Sequence, residues 1–373
     1  MRIALAGLAA LAVAMGIGRF AFTPILPMMQ QDVGLSVAGG GWLAAANYLG
    51  YLAGALWAGA TRATAATAIR AGLVVISVTT LGMAFASGFG TWAALRLLAG
   101  VASAWVMIHT SAFCLESLAA LGRPILAGVV FAGVGIGIIS AGSLCVLLMA
   151  VHAQSASAWL VLGGVTIAVT ALLWPMFRVA VGAPGPARAS GRWTWEQARL
   201  VLAYGAYGLG YIIPATFLPV MAREAVSDAA LFGWAWPAFG AAAVLSALGV
   251  TLVAGRYSNR AVWIASHLVM ALGVAAPVFW PGIGGIVLAA LCVGGTFVVI
   301  TMVGLQEARS VATAHANANA ARLMAAMTAA FAAGQIVGPL CVSLMLGTGA
   351  GFAAALLSAS AVLVAGALLL VRR

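Results

Sequence analysis

The sequence carries very little charge. Lysine is absent, and the 17 arginines and 6 acidic residues amount to only 6% of the 373 residues. A soluble domain has about a quarter charged residues and roughly half apolar ones, whereas 65% of this chain is hydrophobic. This composition excludes a water-soluble fold, and with it most enzymes and all nucleic-acid-binding modules, despite a net charge of +11. It predicts a membrane protein that crosses the bilayer several times.

Clusters of reactive side chains are also missing. No apolar stretch combines a nucleophile with an acid–base pair or a set of metal ligands, so we expect no enzyme activity, no cofactor and no metal. The four cysteines are spaced singly through apolar stretches, which favours buried thiols without disulfides. These cysteines are Cys114, Cys145, Cys292 and Cys341.

Long apolar runs dominate what is present. A bilayer core of about 30 Å requires about 20 apolar residues per helix. Twelve stretches meet this length, approximately 3–29, 41–60, 71–87, 91–115, 124–151, 157–177, 199–221, 230–254, 261–279, 282–305, 323–346 and 350–371. The first also resembles a signal peptide, but its apolar run continues to Met29, so we interpret it as a span. The sequence therefore predicts an all-α membrane protein with twelve transmembrane helices.

The distribution of arginines predicts the orientation of the chain. If the N-terminus is cytoplasmic, fourteen of the 17 arginines fall in inside segments and one, Arg223, falls in an outside loop. The remaining two, Arg19 and Arg96, lie within spans. Since basic residues accumulate on the cytoplasmic side, we expect both termini in the cytoplasm.

The two halves of the sequence repeat. Gly16-Ile17-Gly18 recurs as Gly208-Leu209-Gly210, at an offset of 192 residues. The longest polar break separates the halves, so we expect an N-terminal six-helix bundle over 1–177, a cytoplasmic linker over 178–198 and a C-terminal six-helix bundle over 199–373. Because six spans separate equivalent positions, the halves have the same orientation, and a substrate site is expected between them near the midplane.

Twelve spans, a parallel repeat and a cytoplasmic central loop together resemble the major facilitator superfamily. The first-helix stretch Gly16–Met29 and Asn47–Gly54 in the second helix resemble, more specifically, the YbfB/YjiJ family of bacterial transporters. Arg96 followed by Gly100 also fits a fourth-helix motif of the superfamily, whereas the loop after the second helix lacks its usual Asp. The resemblance implies a monomeric secondary transporter in the bacterial inner membrane that works by alternating access.

Arg19 is the strongest candidate for contact with a substrate. An arginine at the centre of a membrane helix costs about 2.5–3.5 kcal/mol, and no acidic residue falls in the middle of a span. An organic anion would supply the missing charge to the guanidinium fork. Alternatively, Arg19 binds backbone carbonyls at a helix break near Thr23-Pro24, or extends toward the outer surface.

Other polar residues within spans complete the expected site. Each has interhelical hydrogen bonding as its alternative role. With Arg19, the candidates for substrate binding are Asn47, Tyr51, Tyr207, Tyr211 and Gln335. Arg96 is expected to brace the first and fourth helices, and His109 either to carry a coupling proton or to form an interhelical hydrogen bond.

Acidic and basic residues in equivalent inner loops suggest a gate. We expect Glu116 to pair with Arg123, and Glu307 to pair with Arg309 or Arg322, closing the cytoplasmic side; solvated loop charges are the alternative.

The favoured function is a secondary active transporter that moves a small solute, an organic anion, through the lipid bilayer. The alternatives are an efflux pump for neutral or cationic drug-like compounds and a non-transporting membrane sensor on the same scaffold. A cation pump normally requires a buried acid as the partner of its substrate, and the spans hold none.

Overall fold

A computed structural model describes residues 1–61, 63–177, 193–225, 234–252, 255–314, 320–347 and 351–371. In this part of the chain there are twelve helices and no β-strand. The first six are α1 (Arg2–Asp32), α2 (Val37–Ala60), α3 (Ala65–Phe85), α4 (Phe89–Ala120), α5 (Ala127–Ala150) and α6 (Ser155–Leu173). The second six are α7 (Trp195–Ala225), α8 (Ala235–Gly249), α9 (Asn259–Phe279), α10 (Ile283–Ala314), α11 (Ala320–Gly347) and α12 (Gly351–Leu370).

Each helix coincides with one predicted span, so the predicted all-α fold class is confirmed. Ten helices of the described chain are long and apolar enough to cross a membrane. The other two have less apolar sequences: α2 contains six glycines, two tyrosines and Asn47, and α7 contains three glycines, three tyrosines and a polar first turn. Most of the expected linker, residues 178–192, lies outside the described residues. Its last part does not form a loop, because α7 already begins at Trp195.

Helix α1 is interrupted in its middle. It is α-helical over Arg2–Leu11, π-helical over Ala12–Ile17, and α-helical again over Phe22–Asp32. Glycine is a poor helix former, and both Gly16 and Gly18 fall at the interruption. The second α-helical part starts just before Pro24, where a missing N–H has no cost in a first helical turn. Residues 18–21 therefore form a turn that leaves backbone carbonyls without helical partners.

The same helix pair packs closely in each half through glycine. A Cβ added at Gly137 of α5 would lie 2.4 Å from the carbonyl oxygen of Ala12 in α1. In the second half, a Cβ added at Gly334 of α11 would lie 2.6 Å from the carbonyl oxygen of Gly205 in α7. Helices α1 with α5 and α7 with α11 are equivalent pairs, so the sequence repeat is matched by a repeat in packing.

Helices α5 and α8 join the two halves along their length. A Cβ at Gly128 would lie 2.3 Å from Cγ2 of Thr251, and one at Gly135 would lie 2.6 Å from the carbonyl oxygen of Gly240. Small residues allow such close approach between membrane helices. We call the end of the bundle where α6 ends and α7 begins the linker end. Near this end, Gly59 of α2 also packs against Ala325 of α11.

Candidate functional site

Arg19 lies in the turn that interrupts α1, and only 4% of its surface is exposed. Its Nη2 donates a hydrogen bond to Oε1 of Gln335 on α11, over 2.6 Å. Helix α1 belongs to the first half and α11 to the second. This bond therefore connects the two halves through two residues that the sequence singled out.

Three donor nitrogens beside this bond have no hydrogen-bond partner. They are Nε and Nη1 of Arg19 and Nε2 of Gln335, and all three are buried. A buried polar group that loses its partner costs about 1–3 kcal/mol. Oε1 of Gln335 already accepts from Arg19, so the amide atom of Gln335 that remains is Nε2, which is a donor as well. The unmet requirement at the site is thus for hydrogen-bond acceptors.

Aromatic rings surround the Arg19 guanidinium. Its Cζ lies 3.9 Å from the ring centroid of Tyr51, 5.4 Å from that of Phe20 and 5.7 Å from that of Tyr48. Phe331 of α11 is at 5.9 Å. A cation within about 6 Å of a ring face gains about 0.5–2 kcal/mol. These contacts stabilise a buried guanidinium without neutralising its charge.

Carboxylates lie elsewhere in the structure. The described acidic side chains fall in the first or last two turns of their helices; they are Asp32, Glu116, Glu196 and Glu307. Among the described side chains, none forms an ion pair with Arg19. Its positive charge is therefore uncompensated by this part of the protein.

Arg96 of α4 is buried beside Arg19 but is bonded differently. Its Nη1 donates to the carbonyl oxygen of Gly18 over 3.1 Å, and its Nη2 donates to that of Arg19 over 3.0 Å. Both carbonyls belong to the interrupted part of α1. Arg96 thus joins α4 to α1, and it makes the bonds to a helix break that we considered for Arg19. The break lies before Thr23-Pro24 rather than at it.

Two further side chains bind the same interrupted backbone. Ser103 of α4 donates to the carbonyl oxygen of Ala14 over 2.8 Å. Nδ2 of Asn47 donates to the carbonyl oxygen of Gly18 over 3.5 Å and to that of Arg96 on α4 over 2.9 Å. Asn47, expected to bind substrate, therefore uses its amide nitrogen to hold α2 against α4. Ser103 was missed, since one serine in an apolar helix carries no recognisable pattern.

The tyrosines of α7 face the same region from the second half. The hydroxyl of Tyr207 donates to the carbonyl oxygen of Phe297 over 2.9 Å. Tyr211 stacks on Phe297 with centroids 5.6 Å apart, and on Phe331 at 6.2 Å. Tyr211 occupies the repeat position of Arg19, and both contact Phe331. The structure thus brings Arg19, Tyr51 and Gln335 together, with Tyr211 reached through Phe331.

His109 bonds within its own helix. Its Nδ1 lies 2.9 Å from the carbonyl oxygen of Trp105, one turn earlier in α4. This differs from the interhelical hydrogen bond that was the alternative to proton coupling. The ring is buried and lies 6.1 Å from the Trp105 ring.

The expected partner of Glu307 was wrong. Oε1 of Glu307 binds Nε and Nη2 of Arg260 over 2.9 and 2.8 Å, and Arg260 also binds Glu196 over 2.7 Å. Helices α7, α9 and α10 bring these residues together at the linker end. Arg309 follows Glu307 by two residues, and positions two apart do not share a helix face. The guanidinium of Arg322 lies over the ring of Trp193 at 5.7 Å.

The expected pair of Glu116 and Arg123 is also absent from the described part of the chain. Both side chains are exposed, and no ion pair joins them. Helix α4 ends at Ala120, and the following turn carries Arg123 beyond the helix. The two halves therefore differ at this end, since only the second has a buried ion cluster in its described residues.

Comparison with known proteins agrees with this architecture. The human organic anion transporter MFSD10 (TETRAN) matches with a TM-score of 0.76 and 14% identity, over 99% of each chain. The major facilitator superfamily transporter FucP, in the outward conformation, matches with a TM-score of 0.72 and 14% identity, over 99% of this chain and 98% of FucP. At this identity the likeness shows the fold alone. A search of curated proteins found no match.

The sequence also matches a family as a whole. The family model described as "Uncharacterised MFS-type transporter YbfB" aligns with residues 11–371. This range contains the interrupted first helix, the buried arginines and both six-helix repeats. The chain is a multi-pass membrane protein of the transporter type, and it belongs to the YbfB family of the major facilitator superfamily.

Proposed function

We propose that this transporter moves a small organic anion by alternating access between its two six-helix halves, with Arg19 as the anion's partner. The observation that carries this proposal is the environment of Arg19. The residue is buried where α1 meets α11, two of its guanidinium nitrogens have no partner, and no described carboxylate balances its charge.

An anion at this position would provide both things that the site lacks, hydrogen-bond acceptors and a negative charge. A carboxylate or similar oxyanion provides acceptor oxygens for the free nitrogens of Arg19 and for Nε2 of Gln335. Hydrogen bonds between charged groups are roughly twice as strong as neutral ones. A neutral or cationic substrate would leave the charge unbalanced, so the geometry favours an anion over the drug-like compounds considered from the sequence.

The position between the halves suits alternating access. Because Arg19 and Gln335 belong to different halves, a ligand that binds both couples its own binding to the relative position of the halves. Glycines at the contact between α5 and α8 let the two helices pack closely without large side chains that would obstruct this movement. We further propose that the linker end faces the cytoplasm of a bacterial inner membrane, as the arginine distribution predicts, and that Arg260 with Glu307 helps to close that end.

The test is ligand stabilisation of the purified protein. Thermal unfolding is measured with carboxylates, sugars, amino acids and cationic drugs, on the wild type and on Arg19→Ala and Arg19→Lys. We expect anions alone to raise the Tm of the wild type, Arg19→Ala to abolish the effect, and Arg19→Lys to retain part of it because lysine keeps the charge but loses the fork. Arg123→Ala, at an exposed loop position, is the matched control.

Two results would contradict the proposal. One is stabilisation by cations only. The other is an undiminished response of Arg19→Ala to the anions that stabilise the wild type, since the proposal assigns the ligand's charge to this one side chain.

A further inference from the structure

We infer that the transported anion is a singly charged aromatic oxyanion, a carboxylate or sulfonate, whose ring binds against a stack of aromatic side chains beside Arg19. This inference rests on the proposed function, because it assumes that Arg19 binds the charged group. It adds the shape and polarity of the rest of the ligand.

Five rings of the second half form a continuous stack, which we call the aromatic stack. Its members, in order, are Trp236, Phe239, Phe297, Tyr211 and Phe331. Successive centroids are 5.4, 4.9, 5.6 and 6.2 Å apart, with interplanar angles of 11°, 18°, 19° and 27°. Aromatic pairs within a protein core commonly meet offset or edge to face. The three inner rings cover one another's faces, so this run of four near-parallel pairs from α8, α10, α7 and α11 offers a ligand its ring edges and its two end rings, Trp236 and Phe331.

The aromatic stack reaches the guanidinium of Arg19. Its last ring, Phe331, lies 5.9 Å from Cζ of Arg19. Phe20, the next residue after Arg19, meets Phe297 edge to face at 6.2 Å and Trp236 at 6.3 Å. These are contact distances between neighbouring groups, so an aromatic ring whose carboxylate binds Arg19 lies next to the rings of the stack. Such a ligand contacts the cation and the rings at the same time.

Some of these rings are accessible. Phe20, Trp236 and Phe239 are each partly exposed, whereas Phe297 and Phe331 are buried. A ligand that enters between the halves therefore meets exposed aromatic edges before it reaches the buried part of the aromatic stack.

The charge of the ligand follows from the arginines. Both Nη atoms of Arg96 are used by backbone carbonyls and its Nε alone lacks a partner, whereas Arg19, in the same described middle of the bundle, has a free Nη as well as a free Nε. A second negative charge on the ligand would be left without a partner in a region of low dielectric, which is costly. The free groups of Arg19 and Gln335 are donors, so the ligand needs acceptors at its charged end; Nε1 of Trp236, at the other end of the aromatic stack, is a further buried donor without a partner.

The experiment measures the affinity of matched ligands by isothermal titration calorimetry. Benzoate and benzenesulfonate represent the two oxyanions, and cyclohexanecarboxylate has the charge and size of benzoate without the planar ring. Benzamide removes the charge, and terephthalate adds a second. We expect benzoate and benzenesulfonate to bind about two- to tenfold more tightly than cyclohexanecarboxylate, and benzamide and terephthalate to bind less well than benzoate.

Variants of the aromatic stack test whether its rings cause the tighter binding of benzoate than of cyclohexanecarboxylate. Phe297→Leu is expected to lower the affinity for benzoate to that for cyclohexanecarboxylate and to leave the latter unchanged. Phe239→Leu, at a partly exposed position, provides the same comparison if Phe297→Leu fails to fold. Phe113→Leu is the matched control, because Phe113 pairs with Phe177 at 5.8 Å within the first half, and it is expected to change neither affinity.

The outcomes separate this inference from the proposed function. Equal affinities for benzoate and cyclohexanecarboxylate, or equal losses for both ligands in Phe297→Leu and Phe239→Leu, overturn the aromatic assignment. Tighter binding of terephthalate overturns the single charge. All of these results leave the anion proposal standing. If no anion of the panel binds the wild type, the aromatic assignment falls, and the anion proposal falls with it unless other carboxylates raise the Tm in the thermal-unfolding test.

Discussion

Replacing Arg96 with methionine tests how the interruption of α1 is held. Methionine keeps most of the length and apolar volume of the side chain but removes both hydrogen bonds to the carbonyl oxygens of Gly18 and Arg19. We expect the Arg96→Met protein to fold with reduced stability and with a looser turn at residues 18–21.

The magnitude follows from two opposing contributions. Hydrogen bonds that involve a charged group contribute about 1.5–3 kcal/mol each, so the two bonds of Arg96 represent roughly 3–6 kcal/mol. Removing a charge from within the membrane recovers about 2.5–3.5 kcal/mol. At the midpoints of the two ranges, the net loss in the free energy of unfolding is about 1.5 kcal/mol.

The assay is denaturant titration of the purified protein in mixed micelles, together with hydrogen exchange of the amides in residues 18–25. Arg123→Met serves as the control, because Arg123 is exposed in the turn that follows the same helix. We expect faster exchange in Arg96→Met alone. If the two variants unfold with the same free energy and exchange alike, Arg96 does not hold the interruption, and the reasoning fails.

Two other substitutions address the movement of the halves and the ion cluster. Gly135→Val places a Cβ 2.6 Å from a facing α8 backbone oxygen and should abolish transport in proteoliposomes. Gly164→Val is the control, because a Cβ there would meet nothing within 4 Å, and it should transport normally. Equal activity of the two would show that the α5–α8 contact does not move as proposed. Glu307→Gln should lower the free energy of unfolding by about 1–3 kcal/mol, because it weakens a largely buried bond to Arg260. Glu116→Gln should change the free energy of unfolding little. Chemical denaturation measures both, and equal losses would contradict the difference between the two halves.

The fold was predictable because it depends on features that can be read directly along the sequence. Apolar runs of membrane length give the twelve helices, and the spacing of Gly16 and Gly208 gives the repeat. Two buried arginines also stood out, since charge is rare within spans. Their different roles could not be predicted from the sequence, because these roles depend on which backbone carbonyls the turn at residues 18–21 leaves free.

Contacts between distant helices could not be predicted in the same way. The pairing of Glu307 with Arg260 requires knowing that the end of α10 meets the start of α9, whereas sequence reasoning favoured basic residues close by in the chain. The aromatic stack was missed for a related reason. Phe239, Phe297 and Phe331 each look like ordinary apolar residues of a span, and only the packing of α8, α10 and α11 aligns their rings.

The interruption of α1 explains why two neighbouring arginines are used so differently. An unbroken helix would satisfy its own carbonyls and offer no acceptor to Arg96, which would then be a second uncompensated cation. The turn at residues 18–21 frees the carbonyl oxygens of Gly18 and Arg19, and Arg96 is bound to them. The same turn carries the Arg19 side chain toward Gln335 in the other half. One local break in a helix therefore fixes one arginine to the backbone and leaves two nitrogens of the other without a partner.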